Sequence, residues 1–372
     1  MKLAKLANLE KIELQKEQSD LMETIKELTL LISDSDVQKT ELRHRLQVIV
    51  DKFGDDRRTE LTQIDVKPEE KEIAEVTPED CVVILSQAGD IKRIPAKSFR
   101  AQRRGGKGVK SEDDLLLKAL HTNTVDILMA FTNKGKMYRL LVDNIPVGTN
   151  VSKGVRIGTL INMESDEKVV AATSLNRGSD AEFVLFFTKK GLIKKTSLNE
   201  YMKVKRSTGI AAISLKEGDS IANVTFVKEE EVIVVTQKGM SIHFPTKDIN
   251  PIGRVTSGVK AIKLDVEDYV IGGFPIREET HVAVFTEKGL GKKVKISEMT
   301  VQARGGKGIL IYKPTTSTGE ISGATLTQEG DNLLLVGKPN SIYISESEVP
   351  ELSRTSMGNI MIKDSKILSV VK

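Results

Sequence analysis

The sequence predicts a mainly β fold, in which six four-stranded blades form a propeller-like ring preceded by an α-helical coiled-coil hairpin segment. Three observations predict it. From Val82 onward, short β-branched strands alternate with glycine turns. The same frame of apolar strand, hairpin turn, cation-bearing strand and second glycine turn occurs six times. The period lies near 50 residues, which is typical of propeller blades that bury their faces against one another.

Two glycine marks in each copy keep a constant spacing. The hairpin turns centre on Gly89, Gly135, Gly191, Gly239, Gly289 and, without glycine, Asn340. The second turns centre on Gly108, Gly154, Gly209, Gly258, Gly308 and Gly358. The two marks lie 18 or 19 residues apart in every copy, and successive second glycines are 46 to 55 residues apart. We therefore assign the six blades to residues 81–372.

The first strand of each copy is apolar and four or five residues long. These strands are predicted at Val82–Leu85, Ile127–Phe131, Phe183–Phe187, Val232–Val235, Val282–Phe285 and Leu333–Val336.

Residues 1–60 have a different, helical pattern. From Leu3 to about Ile32 the apolar residues fall at helical spacing among many charged ones, which is typical of one arm of a coiled coil. A second helix is predicted from Ser35, which has capping-box spacing to Gln38, as far as Gly54. Residues 61–80 contain two prolines and an acidic run, and we interpret them as a linker.

Charge separates the chain into an acidic head and a basic body. Residues 1–80 carry 13 Lys and Arg against 20 Asp and Glu, whereas residues 81–372 carry 43 against 32. A basic excess over a large domain favours an anionic partner, and nucleic acid is the usual one.

Composition and motifs exclude several classes of function. No apolar run is long enough to span a membrane, and the single Cys81 is compatible with a reducing cytoplasm. The four histidines have no metal-ligand spacing, and no nucleophile elbow or phosphate-binding P-loop occurs. We therefore predict no catalytic residue, no metal site and no cofactor in this chain.

The strongest local signal is the heptad Gln102-Arg103-Arg104-Gly105-Gly106-Lys107-Gly108, called the first box here. Three cations and three glycines in seven residues make a loop whose backbone can approach a polyanion closely. The heptad returns with one change as Gln302-Ala303-Arg304-Gly305-Gly306-Lys307-Gly308, the second box. The box therefore belongs to the repeat.

Every second turn carries cations, and equivalent turns are expected at one level around the ring. The predicted DNA-binding residues are the seven of the first box and, in later copies, Lys153, Arg156, Lys205, Arg206, Arg254, Arg304, Lys307 and Arg354. Such a belt suits a bent duplex held through its phosphates. Aromatic residues are too few for a single-strand stacking platform. The cations after the hairpin turns are further candidates for the belt: Lys92, Arg93, Lys136, Arg139, Lys194, Lys195, Lys292 and Lys293.

The first box matches in full the signature box found in the C-terminal domain of the DNA gyrase A subunit, and the six-fold frame resembles that domain's six blades. Residues 3–53 resemble the end of the coiled-coil arm of the same protein's breakage-reunion core, and Phe53–Glu60 resembles the junction at which that core ends. The resemblance implies a β-pinwheel that wraps duplex DNA around its rim in a positive sense. It also places the first box where the first blade meets the last.

The resemblance further implies a holoenzyme in which this chain is one part. The partners are double-stranded DNA, the rest of a homodimeric gyrase A protein and a gyrase B protein that hydrolyses ATP, with Mg²⁺ at the cleavage core, in the cytoplasm near the nucleoid. The DNA-cleaving tyrosine and the acidic Mg²⁺ cluster are not among these residues, so the chain alone is not expected to cut DNA. Two alternatives stay open: the corresponding A protein of a topoisomerase IV, which the second box leaves possible, and a protein-interaction propeller.

Overall fold

The computed structural model describes residues 2–55, 76–98, 103–106, 109–110, 116–149, 152–203 and 208–372, and the chain divides into two compact units at residues 72 and 73. The first unit holds two helices, α1 at Lys2–Ser33 and α2 at Ser35–Phe53. The helices predicted from the apolar spacing are therefore confirmed. Leu14, Leu21 and Leu28 of the predicted apolar stripe are all more than half exposed.

Helix α2 begins one residue earlier than the capping-box spacing suggests. Its N-cap is Asp34, whose carboxylate accepts hydrogen bonds from the amides of Asp36 at 2.8 Å and Val37 at 3.4 Å. A carboxylate next to the helix start satisfies two amides that have no intrahelical partner. The prediction of Ser35 as the cap was therefore wrong by one position.

The second unit contains six copies of one four-stranded repeat. The first strand of each repeat is, in order, β1 at Asp80–Ser86, β5 at Ile127–Thr132, β9 at Phe183–Thr188, β13 at Glu231–Thr236, β17 at His281–Thr286 and β21 at Asn332–Lys338. Each pairs antiparallel with the second strand, which is β2 at Asp90–Pro95, β6 at Lys136–Leu141, β10 at Leu192–Ser197, β14 at Met240–Pro245, β18 at Leu290–Lys295 or β22 at Asn340–Ser345. All six predicted first strands are confirmed.

Two more strands complete each repeat. The third has two residues and is β3 at Val109–Lys110, β7 at Val155–Arg156, β11 at Ile210–Ala211, β15 at Val259–Lys260, β19 at Ile309–Leu310 or β23 at Asn359–Ile360. The fourth is β4 at Leu116–Asn123, β8 at Val169–Leu175, β12 at Ile221–Val227, β16 at Val270–Ile276, β20 at Ile321–Thr327 or β24 at Lys366–Val371.

Each sheet is shared between two neighbouring repeats. The first sheet has the order β4-β1-β2-β7, so its last strand comes from the second repeat, and the same exchange recurs around the ring. The last sheet, β24-β21-β22-β3, takes its outer strand from the first repeat through the pairs Asn340–Lys110 and Ser341–Val109. This pairing closes the ring. We call each sheet a blade and number it by the repeat that supplies three of its strands.

The inner and outer edges of the blades follow from these contacts. The fourth strands contact one another in the cyclic order β4, β8, β12, β16, β20, β24 and back to β4, so they surround the centre. The exchanged two-residue strand lies at the opposite edge of each sheet and is therefore outermost. The six-bladed, propeller-like ring predicted from the repeat is confirmed.

The cores lie between adjacent blades. Phe131 of blade 2 meets Phe186 of blade 3 edge to face, with ring centroids 5.2 Å apart, and both rings are almost fully buried. Burial of one such side chain contributes about 2 kcal/mol, so a row of them can hold neighbouring sheets together without tryptophan, which the sequence lacks. Within the described residues, no helix has the length and apolar character needed to cross a membrane.

Candidate nucleic-acid interface

The described cation-bearing turns lie at the outer edge of the ring. Each of these turns leads directly into an exchanged two-residue strand, and that strand pairs with the second strand of the preceding blade. Each turn therefore sits across a junction between two repeats. Five of the predicted site residues lie outside the described part of the chain: Gln102, Lys107, Gly108, Lys205 and Arg206.

The described part of the first box docks on blade 6, as expected. The amide of Gly105 donates to the carbonyl of Met361 at 2.7 Å, and Gly105 has a φ of 72°, a left-handed conformation that suits glycine. The guanidinium of Arg104 lies 3.8 Å from the carboxylate of Glu348. Arg103 is exposed. One arginine thus helps to fix the turn while its neighbour faces solvent.

The second box docks on blade 4 in the same way. The amide of Gly305 donates to the carbonyl of Ala261 at 2.6 Å, and Gly305 has a φ of 83°. Arg304 donates to the carbonyl of Lys260 at 2.9 Å. The side chain of Lys307 is 66% exposed, with its ammonium 3.7 Å from Asp265. The second box is therefore a folded copy of the first.

Repeats 4 and 6 use their turn arginine in a similar way. The guanidinium of Arg254 lies 3.8 Å from Glu200, and that of Arg354 lies 4.0 Å from Glu298. Both carboxylates belong to the preceding repeat, in the short helical turn that follows its second strand. These two arginines are only about a third exposed, so they link neighbouring blades as well as adding positive charge to the edge.

Repeat 2 places its two cations around one buried carboxylate. Nε of Arg156 lies 3.1 Å from Asp90, and Nζ of Lys153 lies 3.9 Å from the same residue. Asp90 is buried, whereas the two cationic side chains are more than half exposed. This group keeps a net charge of +1 at the edge.

The cations after the hairpin turns do not extend this belt, and that prediction was wrong for most of them. Lys92, Lys194, Lys195 and Lys292 are buried, and Lys292 has no exposed surface. Arg93 and Lys293 are only 16% and 12% exposed, in ion pairs with Asp143 and Glu346. Lys136 pairs with Glu164 and Glu167, and Arg139 donates to the carbonyl of Met202. In blades 1, 3 and 5 the reason is that the next repeat's turn covers the second strand.

Three of these buried lysines hold the turn above them. Nζ of Lys292 donates to the carbonyls of Ser353 at 2.8 Å, Arg354 at 2.6 Å and Ser356 at 2.8 Å. Burial lowers the pKa of Lys292 to about 8, whereas Glu298 nearby favours the charged form. Three carbonyl acceptors match the three protons of an ammonium group.

Lys194 and Lys92 occupy the same position in blades 3 and 1. Lys194 donates to the carbonyls of Ala212 at 2.6 Å and Arg254 at 2.5 Å, and burial lowers its pKa to about 8. Lys92 donates to the carbonyls of Thr149, at 3.0 Å, and Ser152. Sequence reasoning missed this role, although a lysine three residues after the hairpin glycine in repeats 1, 3 and 5 was a visible signal.

Blades 2, 4 and 6 carry uncharged residues at that position. Ile242 and Ile342 are almost fully buried there, and Tyr138 donates a 2.5 Å hydrogen bond to the buried Glu167. Burial and this carboxylate raise the pKa of Tyr138. The turns of repeats 1 and 5, which carry the two boxes, therefore rest on isoleucine, and the turns of repeats 2, 4 and 6 rest on lysine.

Comparison with known proteins agrees with this architecture. A family profile described as the DNA gyrase C-terminal domain, beta-propeller, matches residues 82–111, 126–176, 182–228, 230–277, 280–328 and 340–367. These six segments coincide with the six repeats and together make up more than half of the chain. The chain belongs to this DNA gyrase C-terminal domain family.

Relatives of this gyrase family extend the similarity over the whole chain. It is 34% identical over 381 residues to the DNA gyrase A protein of Clostridium acetobutylicum, covering 100% of this chain and 46% of the relative. The corresponding gyrase A protein of Helicobacter pylori is 33% identical over 367 residues, covering 96% and 44%. The chain thus spans about half the length of the curated relatives it matches.

Two solved structures share the ring. One, titled as the structure of a DNA gyrase A C-terminal domain, superimposes with a TM-score of 0.71 at 26% identity and covers 78% of this chain and 99% of its own. The other, the C-terminal domain of a DNA topoisomerase IV, gives 0.62 at 27% identity and covers 80% and 94%. The resemblance inferred from the first box is therefore confirmed at the level of family and fold.

Proposed function

We propose that the six-bladed ring, residues 81–372, binds duplex DNA along its outer edge and bends or wraps it independently of base sequence. The observation that supports this most strongly is the position of the cationic turns, each of which precedes an outermost strand. Arg103, Lys153, Arg156 and Lys307 face solvent there. Phosphates carry the same charge at every base pair, so cations at a curved edge bind without reading sequence.

Wrapping needs many such contacts because DNA is stiff. Bending a site of some 20 to 30 base pairs costs on the order of 1–6 kcal/mol, and each phosphate contact offsets part of this cost. A ring of equivalent blades supplies contacts at regular intervals along the edge. The first box, carried by Gln102, Arg103, Arg104, Gly105, Gly106, Lys107 and Gly108, is the proposed starting point, because its described residues 103–106 contact repeat 6 beside the strand pairing that closes the ring.

The proposed role of the ring is to serve a larger enzyme. In this proposal residues 1–60 are the end of the breakage-reunion arm of a gyrase A protein, residues 61–80 are a linker, and the homodimer works with the gyrase B protein in the cytoplasm. ATP and Mg²⁺ act in those other parts. Within the described residues, no group of three or more His, Cys, Asp or Glu side chains could hold a metal ion. In this proposal the chain bends the path of the duplex, and that path lets strand passage introduce negative supercoils.

The A protein of a topoisomerase IV is the second candidate. The similarity to a topoisomerase IV domain supports it, as does the second box at Gln302–Gly308. Reconstitution of the full-length A protein with its matching B protein separates the two. Conversion of relaxed plasmid to a negatively supercoiled form assigns a gyrase, and decatenation without supercoiling assigns a topoisomerase IV.

Salt titration tests the DNA-binding proposal directly. We expect affinity for a duplex of arbitrary sequence to fall steeply between about 50 and 200 mM salt, because counterions compete for phosphates. The triple variant Arg103→Ala, Arg104→Ala, Lys107→Ala should bind more weakly and with a smaller slope. The charge-matched control Lys11→Ala, Lys16→Ala, Lys26→Ala removes three cations from α1 and should bind like wild type. A flat salt dependence would instead support a protein-interaction ring.

A further inference from the structure

The turn of repeat 6 directs three backbone carbonyls inward, towards Lys292. The buried ammonium of Lys292 draws in the carbonyls of Ser353, Arg354 and Ser356. In a trans peptide the carbonyl and the following amide point in opposite directions. The amides that follow these carbonyls are therefore directed away from the ammonium and towards the outer edge.

Two of these amides have no partner within the protein. Among the hydrogen bonds of the described residues, none uses the amide of Thr355 or that of Met357, and both residues are exposed. The hydroxyls of Ser353 and Ser356 lie 2.8 Å apart and close the turn on itself. Two outward amides in one short turn place partial positive charges at the edge, where the oxygen of an anion can accept hydrogen bonds from them.

The second box has the opposite orientation at the equivalent position. There the amide of Gly305 points inward to the carbonyl of Ala261, and the residue beneath is Ile242 in place of lysine. The left-handed φ of Gly305 permits this orientation. A lysine beneath the turn therefore goes with outward amides, and an isoleucine goes with an inward amide.

The turn of repeat 4 follows the lysine pattern. Lys194 donates to the carbonyl of Ala212, which is the equivalent of Ala261, and to the carbonyl of Arg254. The next amide, that of Val255, has no hydrogen-bond partner among the described residues, and Val255 is 73% exposed. Two independent turns thus combine a buried ammonium with an unpartnered amide at the outer edge.

We propose that turns 353–357 and 253–257 each bind a phosphate oxygen, the first through the amides of Thr355 and Met357 and the second through that of Val255. Lys292 and Lys194 are the positioning residues. The proposal rests on the proposed DNA-binding function, for which the ligand is a phosphodiester of the duplex. Inorganic phosphate offers the same kind of anionic oxygen acceptor. The edge then carries two kinds of contact in alternation: boxes that present side-chain cations, and lysine-supported turns that present backbone amides.

Amide hydrogen exchange in the full chain tests this proposal residue by residue. Exchange at 354–357 is measured alone, with a duplex of arbitrary sequence, and with tens of millimolar inorganic phosphate. We expect duplex to slow the amides of Thr355 and Met357 by at least about tenfold, as a charge-assisted hydrogen bond requires. In Lys292→Met this slowing should disappear, and the slope of log affinity against log salt should fall by about 0.9, the value of one phosphate.

Two control variants separate positioning from charge and from packing. Ile342→Met changes the equivalent buried residue of blade 6 and should keep both the slowing and the slope. Lys153→Met removes an exposed edge cation and should lower the slope while leaving the slowing at Thr355 intact. If Lys292→Met fails to fold, the wild-type exchange pattern decides alone.

The proposal is overturned if duplex slows other edge amides but not those of Thr355 and Met357, or if Lys292→Met keeps the slowing. A wild-type chain that does not bind duplex contradicts the proposed function instead. In that case inorganic phosphate still decides this inference: slowing of the two amides supports the site, and unchanged exchange refutes it.

Discussion

Replacement of Gly308 by alanine tests how the second box docks on the preceding blade. Gly308 has a φ of 77°, and an added Cβ would overlap the carbonyl oxygen of Ser241 and lie 2.8 Å from its carbonyl carbon. The left-handed conformation costs a non-glycine residue about 1–2 kcal/mol. The backbone shift that removes the overlap costs about 1–3 kcal/mol more. We therefore expect the free energy of unfolding to fall by about 2–5 kcal/mol.

The matched control for Gly308→Ala is Gly330→Ala. Gly330 has a φ of 90°, but an added Cβ there meets nothing within 4 Å, so only the conformational cost of about 1–2 kcal/mol applies. Urea unfolding followed by circular dichroism gives both values under the same conditions. Equal losses in the two variants would refute the close approach of Gly308 to blade 4. A loss limited to DNA affinity, with unchanged stability, would refute it as well.

Three further predictions follow from the contacts described above. Arg156→Ala leaves the buried Asp90 without its 3.1 Å partner and should lower the free energy of unfolding by about 1–3 kcal/mol. The partner of Arg354, Glu298, is exposed, so Arg354→Ala should lower it by no more than about 1 kcal/mol. Equal losses of the two variants in urea unfolding would contradict this. The pKa of Lys292 is lowered to about 8, so between about pH 8 and pH 10.4 this lysine binds fewer protons in the folded than in the unfolded chain. The stability of wild type relative to Lys292→Met should therefore rise with pH across that window, by as much as about 3 kcal/mol. A stability difference that does not change with pH would show that burial does not lower this pKa. The exposed stripe of Leu14, Leu21 and Leu28 should make helicity and sedimentation concentration-dependent, and a fully helical monomer in dilute solution would contradict that expectation.

Much of the fold could be predicted from local sequence signals. Strands such as β13 are continuous runs of β-branched residues, and hairpin glycines such as Gly239, with a φ of 85°, stand where left-handed backbone is needed. Both signals lie within a few residues of the structure they specify. Their regular spacing then fixed the number of blades.

The exchange of strands between repeats could not be predicted in this way. Strand β7 is only two residues long, Val155–Arg156, and its partner β2 lies about 65 residues earlier in another repeat. A periodic sequence has the same period whether this strand pairs within its own repeat or with its neighbour. Ring closure by β3 could not be predicted from the period either, since it joins the two ends of the repeat array.

The candidate site was predictable in its exposed part and not in its buried part. Arg103 and Lys307 were predicted at the edge from the box alone, and both are exposed. Lys92, Lys194 and Lys292 were candidates for the same belt, and all three are buried. A turn from the next repeat supplies several carbonyl acceptors, which makes burial of an ammonium tolerable, and that arrangement exists only after the ring has closed.

The central claim is that a duplex bends around the cationic outer edge of this ring. It is tested most directly by binding the purified chain to relaxed plasmid, relaxing the complex with a type I topoisomerase, removing protein and measuring the linking number. We expect a shift of one sign that grows with protein concentration and is lost in the triple variant Arg103→Ala, Arg104→Ala, Lys107→Ala. An unchanged linking number with wild type, or an equal shift with the variant, would contradict the claim.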